Sequence, residues 1–143
     1  MTKRVSPEEA LELIEKQGYV YVDVRSVPEF EAGHPTGAYN VPIMHMGPAG
    51  MTPNPDFVDV MRRAFPKDAK LVVGCKSGGR SARAAAVLEQ AGYANVADQC
   101  AGFEGAPDFS GRVAEPGWRP KGLPVSREAA RDHSYEGLKT AGR

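Results

Sequence analysis

Residues 71–81 read LVVGCKSGGRS, an apolar run followed at once by a cysteine and a glycine-rich, basic loop. The apolar run predicts a strand that is covered on both faces of a sheet. Gly78 and Gly79 allow a tight turn whose successive N–H groups can line one concave space. After the loop, residues 81–91 are strongly helix-forming, so a helix should start at Ser81 and stop at Gly92. The pattern therefore predicts a central strand, a loop that begins at Cys75, and a helix.

Cys75 precedes a predicted helix, and that position favours its thiolate. The N-terminus of a helix carries about half a positive charge and free N–H groups, while Lys76 and Arg80 add two cations. A thiolate in such surroundings is a nucleophile near neutral pH. The alternative is a buried structural thiol, which is the common state of a lone cysteine. That interpretation predicts apolar neighbours, whereas Cys75 has charged residues and glycines beside it, so we interpret the cysteine as reactive.

The spacing between Cys75 and Arg80 bears on the kind of chemistry. Protein tyrosine phosphatases and the dual-specificity cell-cycle phosphatases place five residues between their cysteine and arginine, and that loop encloses a tetrahedral phosphate. Here only four residues intervene, and Gly74 stands where the tyrosine phosphatases carry histidine. The shorter ring should hold a smaller centre, such as one extra sulfur atom on Cys75.

The loop CKSGGRS resembles the six-residue active-site loop of the rhodanese (thiosulfate sulfurtransferase) family, and other stretches extend the resemblance. Residues 29–42, EFEAGHPTGAYNVP, are similar to the family's EFxxGHIPGAxNIP segment, with Pro-Thr at 35–36 where Ile-Pro is usual. The motifs GW at 117–118 and GLP at 122–124 match the pattern at the end of the family's domain. Alternating strands and helices, with a buried strand before the helix that follows Cys75, predict a mainly parallel α/β sheet flanked by helices on both faces. The resemblance implies that this sheet belongs to a single rhodanese-like domain.

The resemblance also implies double-displacement sulfur transfer. The Cys75 thiolate would attack the outer sulfur of a small donor such as thiosulfate and expel sulfite. The persulfide would rest among the amides of residues 76–80, until a thiol or a protein acceptor removes the sulfur. The candidate catalytic residue is Cys75, and the candidate substrate-binding residues are Lys76, Ser77, Gly78, Gly79 and Arg80. Lys76 and Arg80 are candidate contacts for the donor's oxyanion, and Arg80 could equally well pin the loop.

Several polar residues outside the loop have two interpretations each. Asp23 and Arg25, near the end of a predicted strand at 19–24, either form an ion pair that caps the strand or orient the loop. The resemblance implies that they support the site. His34 is interpreted as a hydrogen-bonded histidine that holds a turn, since a low-pKa cysteine needs no adjacent base. Cys100 could resolve a persulfide on the catalytic cysteine, although packing is the commoner role of a lone cysteine.

Local patterns predict the remaining elements. A capping box at Ser6 and Glu9 predicts a helix that ends at Gly18. Further predictions are short strands at 38–41 and 95–98, a helix that starts near 54 and ends before Pro66, and core or rim packing for Trp118. Residues 43–53 contain three methionines and two prolines, and we expect an irregular loop that packs on the core or lines a substrate mouth.

Length and charge bound the class of protein. The 143 residues suffice for one domain with its own core, which we assign to residues 1–125, with a polar C-terminal helix or tail at 126–143. Eighteen basic residues balance eighteen acidic ones, so no net charge favours nucleic acid or membranes as partners. No apolar run approaches the length of a transmembrane span.

The two cysteines are too few for a disulfide scaffold and favour a reducing compartment. Residues 1–9 resemble neither a signal nor a transit peptide. A cytoplasmic protein is therefore expected, or an organellar one whose targeting segment has been removed. Three scattered histidines and two distant cysteines have no metal-site spacing, so neither a metal nor another cofactor is expected.

Two other functions stay open. One is a non-enzymatic rhodanese-like module for binding or sensing, and the intact Cys75 argues against it because such modules often lose the cysteine. The other is a cysteine-dependent phosphatase or arsenate reductase, which the length of the loop disfavours.

Overall fold

The computed structural model describes residues 3–107, 110 and 113–140. Residues 1–2, 108–109 and 111–112 of the predicted domain, and 141–143 of the predicted C-terminal segment, lie outside the described residues. The helices are α1 (Pro7–Gln17), α2 (Val27–Ala32), α3 (Phe57–Ala64), α4 (Gly79–Gln90) and α5 (Tyr135–Thr140). The strands are β1 (Lys3–Val5), β2 (Val20–Asp23), β3 (His34–Pro35), β4 (Tyr39–Asn40), β5 (Met44–Gly47), β6 (Gly50–Pro53), β7 (Lys70–Gly74), β8 (Asn95–Gln99), β9 (Gly105–Pro107), β10 (Val113–Pro116) and β11 (Val125–Ser126).

The central sheet has five strands in the order β1-β8-β7-β2-β4, and every neighbouring pair is parallel. β7 is the middle strand, as the apolar run before the cysteine predicts. Asp23 at the end of β2 is in register with Gly74 at the end of β7. The carboxyl ends of the strands therefore meet at one edge, which is where open α/β sheets place their ligand sites.

Alternating side chains of β7 divide the core into two layers. Leu71 and Val73 join a buried cluster that contains residues of α3, α4 and α5. Val72 joins a second cluster with residues of α1 and α2 and with Trp118. The sheet is thus covered by helices on both faces, which confirms the predicted fold class, and Trp118 lies in the core rather than at the rim, with 1% of its surface exposed.

The capping signals in the sequence mark real helix ends. Ser6 Oγ accepts a hydrogen bond from Glu9 N–H at 3.1 Å, and the Glu9 carboxylate accepts one from Ser6 N–H at 2.9 Å. Gly18 then ends α1 with φ 73°, a conformation that glycine adopts without strain. The short helix α2 was not predicted, although Ser26 and Glu29 repeat the same capping pattern at its start. Its six residues are too few to show an apolar period.

The prediction of an irregular loop at residues 43–53 was wrong, because β5 and β6 form an antiparallel hairpin there. Met46 pairs with Met51 across the hairpin, and both are exposed, at 51% and 37%. The strands pair with each other and do not join the central sheet. Each strand has only four residues and contains glycine or proline, which are rare in strands, so the sequence carries little strand signal.

The C-terminal segment contacts the domain in two places. Val125 and Ser126 pair with Pro35 and His34 as an antiparallel ladder, and Leu138 of α5 is buried in the core cluster beside α3 and α4. The division of the chain at residue 125 stays a prediction. Across the described ranges, none of the helices has both the length and the apolar character needed to cross a membrane.

Gly74 provides a test of how tightly the end of β7 is packed. A Cβ at this position would overlap the Tyr21 hydroxyl and ring. Tyr21 is buried, and its hydroxyl accepts a hydrogen bond from Gln99 Nε2 at 3.3 Å, so the ring cannot move aside. We expect Gly74→Ala to lower the free energy of unfolding, measured by urea denaturation, by about 1–3 kcal/mol.

The matched control is Gly79→Ala, since a Cβ at Gly79 meets no atom within 4 Å. Its free energy of unfolding should stay within about 0.5 kcal/mol of the wild-type value. Equal stabilities of the two variants would contradict the packing described here.

Candidate active site

Cys75 lies between the end of β7 and the start of α4, at the carboxyl edge of the sheet. Its side chain is 2% exposed. The sulfur accepts a hydrogen bond from Gly78 N–H at 3.1 Å and lies 3.6 Å from Ser81 Oγ. α4 begins at Gly79, two residues earlier than predicted. The Gly78 amide thus donates to the sulfur at the positive end of a helix, an arrangement that stabilises a thiolate, while the Ser81 hydroxyl accepts from the thiol.

The loop can adopt this shape because two of its contacts leave no room for a side chain. Gly78 has φ 105°, and a Cβ there would overlap the carbonyl oxygen of Cys100. A Cβ at Gly102 would overlap the carbonyl of Lys76. The backbone of the cysteine loop is therefore in direct contact with the backbone of the turn after β8.

Hydrogen bonds join the same two backbone segments. Phe103 N–H donates to the carbonyl of Cys75 at 2.7 Å, and Glu104 N–H donates to the carbonyl of Lys76 at 2.9 Å. The first residues of the loop are thereby held in place from the side of β8.

Arg80, a predicted substrate-binding residue, forms a two-pronged ion pair with Glu29 of α2. The two guanidinium nitrogens donate to the two carboxylate oxygens at 2.6 and 3.0 Å. Burial acts to raise the pKa of Glu29, but the hydrogen bonds from Arg80 and Ser26 outweigh it and hold that pKa at about 2. The pair pins the loop to α2, which is one of the two roles predicted for Arg80. Its contact with a donor stays a prediction.

Glu29 is a partner that the sequence analysis did not assign to the site. It belongs to the stretch at 29–42 that carries the resemblance, but 51 residues separate it from Arg80. No local spacing could have revealed the contact.

Lys76 and Ser77 are exposed at the surface of the loop. Lys76 lines an open pocket beside the loop, together with Arg25, Glu29, Phe103, Glu104 and Arg119. Arg119 forms an ion pair with Glu104 at the rim of this pocket. The surface next to the cysteine loop is therefore charged, and Lys76 is placed where an anionic molecule could meet it.

Asp23 and Arg25 form a buried ion pair under the same pocket. Arg25 Nη2 donates to the Asp23 carboxylate at 2.6 Å and to the carbonyl of Gly33 at 2.6 Å, and the guanidinium lies 4.4 Å from the centre of the Phe103 ring. Burial acts to lower the pKa of Arg25, but its bonds to Asp23 outweigh burial and raise that pKa. The pair thus connects β2 with the turn beside the loop. That it supports the site's function stays a prediction.

His34 is a structural residue, as predicted. It is buried, its two ring nitrogens lie 2.7 Å from the carbonyl of Phe30 and 2.9 Å from that of Glu128, and the ring stacks on Phe30. It therefore ties α2 to the C-terminal segment.

Cys100 is a free thiol, like Cys75. Its sulfur lies 3.5 Å from the carbonyl oxygen of Val5, so it packs beside β1. Its use as a resolving thiol stays a prediction.

Ser81 and Asp98 are further neighbours of the cysteine that the sequence analysis left without a role. Ser81 Oγ donates to Asp98 Oδ1 at 2.7 Å, and Asp98 is 2% exposed. Burial raises the pKa of Asp98, while the bond from Ser81 and the charge of Arg4 act in the opposite direction. Asp98 follows Ser81 by 17 residues and reaches it because β8 lies beside β7. Nothing local in the sequence marks this contact.

Histidine, cysteine and carboxylate side chains are the usual protein ligands of metal ions. Within the part of the chain that the structure describes, no three of them are grouped so that they could hold a metal ion.

Comparisons with known proteins place this architecture in one family. The family described as the rhodanese-like domain matches residues 6–105. "Thiosulfate sulfurtransferase 16, chloroplastic" of Arabidopsis thaliana is 39% identical over 108 residues, which cover 76% of this chain and 80% of that protein. "Senescence-associated protein DIN1" of Raphanus sativus is 41% identical over 86 residues, 60% of this chain. The chain spans only 47% of the length of that second relative.

A solved structure agrees with the sequence comparisons. The crystal structure of Rv0390 from M. tuberculosis superimposes with a TM-score of 0.73 and 30% sequence identity, and it covers 89% of this chain and 98% of its own. The match to the family spans the cysteine loop, both core layers and the turn after β8. The chain therefore belongs to the family of rhodanese-like domains.

Proposed function

We propose that this protein is a thiosulfate sulfurtransferase that transfers a sulfane sulfur through a persulfide on Cys75. The observation that carries the proposal is the Gly78 N–H directed at the Cys75 sulfur at 3.1 Å, at the start of α4. Such a site favours a thiolate nucleophile. A relative that is 39% identical and bears the name thiosulfate sulfurtransferase supports the choice of reaction.

The reaction proceeds in two displacements. In the first, the Cys75 thiolate attacks the outer sulfur of thiosulfate, a bond forms between the two sulfurs, and sulfite leaves with the electron pair of the broken S–S bond. In the second, a thiophilic acceptor attacks the outer sulfur of the persulfide, and Cys75 leaves as a thiolate. The N–H groups at the helix start stabilise the negative charge that stays on sulfur between the two steps.

The residues of the loop have different roles in binding the donor. Lys76 is exposed beside the charged pocket and meets the oxyanion of the incoming donor. The backbone of Ser77, Gly78 and Gly79 encloses the transferred sulfur. Arg80 holds the loop through Glu29 with two of its five N–H donors, and the other donors of its guanidinium contact the sulfur donor.

The acceptor in the cell is a thiol or a protein with a reactive sulfur. Both cysteines are free thiols, which supports a reducing compartment, and a cytoplasmic location stays our prediction. We favour the enzyme over a binding or sensing module because the nucleophile and the amide donor facing it are both present.

Replacement of Cys75 tests the nucleophile. In Cys75→Ser, thiocyanate formation from thiosulfate and cyanide should fall by at least about a thousandfold, because the attacking sulfur is gone. Cys100→Ser is the matched control and should keep most of the activity. The wild-type protein incubated with thiosulfate should gain one sulfur atom in the peptide that contains Cys75, as read by mass spectrometry. Full activity of Cys75→Ser would refute the assignment.

Replacement of Lys76 tests the contact with the donor. Lys76→Gln should raise KM for thiosulfate by about two- to fivefold and leave kcat nearly unchanged, which is the effect of one exposed charge on an anion. The control is Lys67→Gln, since Lys67 is also exposed but lies before β7, at the opposite end of the sheet. An unchanged KM in Lys76→Gln would exclude this residue as a donor contact.

The size of the loop between Cys75 and Arg80 distinguishes sulfur transfer from phosphoryl transfer. A phosphoryl group needs room for three equatorial oxygens, and four residues between Cys75 and Arg80 leave little space. The wild-type protein should therefore not hydrolyse aryl phosphates, and phosphate should compete poorly with thiosulfate.

One residue inserted between Ser77 and Gly78 should abolish sulfur transfer and tighten the binding of phosphate, vanadate or arsenate. Turnover of thiosulfate and of an aryl phosphate is measured in both proteins, with circular dichroism to confirm that the variant folds. A wild-type protein that turns over the phosphate ester faster than thiosulfate would replace our proposal with a phosphatase.

A further inference from the structure

A chain of three buried side chains leads from the reactive sulfur into the core. Cys75 Sγ lies 3.6 Å from Ser81 Oγ, and Ser81 Oγ lies 2.7 Å from Asp98 Oδ1. The exposed fractions of Cys75, Ser81 and Asp98 are 2%, 0% and 2%. A buried carboxyl group thus connects to the nucleophile through a single hydroxyl.

We propose that Asp98 is a positioning residue that receives the proton of Cys75 through the Ser81 hydroxyl. The inference rests on the proposed function, in which Cys75 is the nucleophile. The S–H bond breaks as its proton passes to Ser81 Oγ, and the Ser81 O–H bond breaks as that proton passes to Asp98 Oδ1. The sulfur keeps the electron pair, the carboxylate becomes a carboxylic acid, and the three groups together hold the same charge before and after.

The proton follows this route because the total charge of Cys75, Ser81 and Asp98 stays constant. If the thiol lost its proton to solvent, a thiolate and a carboxylate would lie close together in the core, and two like charges in a buried site oppose each other's ionisation. Transfer along the chain instead moves one negative charge from Asp98 to Cys75. Burial also raises the pKa of Asp98, which brings it nearer to that of a thiol and makes the carboxylate a better proton acceptor.

The hydroxyl of Ser81 can form hydrogen bonds to both neighbours in either protonation state of Asp98. With Asp98 ionised, Ser81 donates to the carboxylate and accepts from the thiol. With Asp98 protonated, the carboxylic acid donates to Ser81, and Ser81 donates to the thiolate. Each state satisfies all three groups, so the proton can move without breaking the arrangement.

Other charged and titratable groups face this chain from the neighbouring elements. Arg4 on β1 is the register partner of Asp98, and its Nε lies 3.9 Å from Asp98 Oδ2, but its side chain is 68% exposed and therefore well screened. On the sulfur side, Tyr21 of β2 and Arg80 of the loop interact electrostatically with Cys75. The closest described polar contact of the Asp98 carboxylate remains Ser81.

The test is the pH dependence of Cys75 alkylation by iodoacetamide, which does not require sulfur transfer. Cys75 is read in its own tryptic peptide, residues 71–76, by mass spectrometry. In the wild-type protein the alkylation rate should show two steps with pH, separated by a plateau. Over the pH range of the plateau, Cys75 and Asp98 share one proton, and its distribution between them does not depend on pH. Asp98→Asn cannot accept the proton, and its profile should have a single step. On the acid side of that step the rate of the variant should fall about tenfold per pH unit, whereas the wild-type rate stays constant along its plateau.

Three further variants separate the relay from simple packing. Ser81→Ala removes the hydroxyl and should also give a single step, whereas Ser81→Thr keeps a hydroxyl and should retain the plateau. Asp59→Asn removes an exposed carboxylate from α3 and should leave the wild-type profile unchanged. If Asp98→Asn does not fold, the comparison of the two Ser81 variants still decides the question.

A single-step profile in the wild-type protein would overturn the relay, as would an Asp98→Asn rate equal to or higher than the wild-type rate on the plateau. Either result together with normal thiocyanate formation would leave the proposed function intact. A plateau in a protein that forms no thiocyanate would support the relay and refute the sulfurtransferase.

Discussion

The loop that carries Cys75 is built against the turn that follows β8, with backbone packed on backbone. Amide groups of that turn donate to the carbonyls of Cys75 and Lys76, and at Gly78 and Gly102 no side chain would fit between the two segments. Backbone contacts of this kind cannot relax as flexible side chains do, so they impose one shape on the loop. The parallel pairing of β7 with β8 makes the contact possible, because it brings the two following segments to the same edge of the sheet.

Ion pairs hold the opposite side of the loop. Burial of a charge is costly unless a partner compensates it, and here Arg25 is paired with Asp23 and Arg80 with Glu29. Two of the arginines beside the cysteine thus serve the architecture in the resting protein. Lys76, by contrast, projects from the surface of the loop. The full charge of an exposed cation attracts an anionic donor, whereas the charge of a paired cation is offset by its carboxylate.

The sulfur of Cys75 is approached by polar groups from two directions. The N–H of Gly78 and the start of α4 provide fixed partial charges that need no proton transfer. Ser81, one turn into the same helix, provides a hydroxyl on the side of the core, backed by Asp98. The same helix thus contacts the cysteine and packs on the sheet, because Ser81 faces the sulfur while Ala84, Ala85 and Leu88 join the core.

The sequence by itself determined the features that depend on neighbours a few residues apart. The strand, loop and helix around Cys75, the capped helix α1 and the parallel α/β class all follow from apolar runs, glycines and capping residues. The hairpin of β5 and β6 escaped prediction because its strands are short and contain glycine and proline. Only the tertiary structure decided the partners of the site. Glu29 reaches Arg80, and Asp98 reaches Ser81, because the order of strands in the sheet brings distant segments together. No local pattern encodes that order, and so the sequence left the two roles of Arg80 equal and Asp98 without a role.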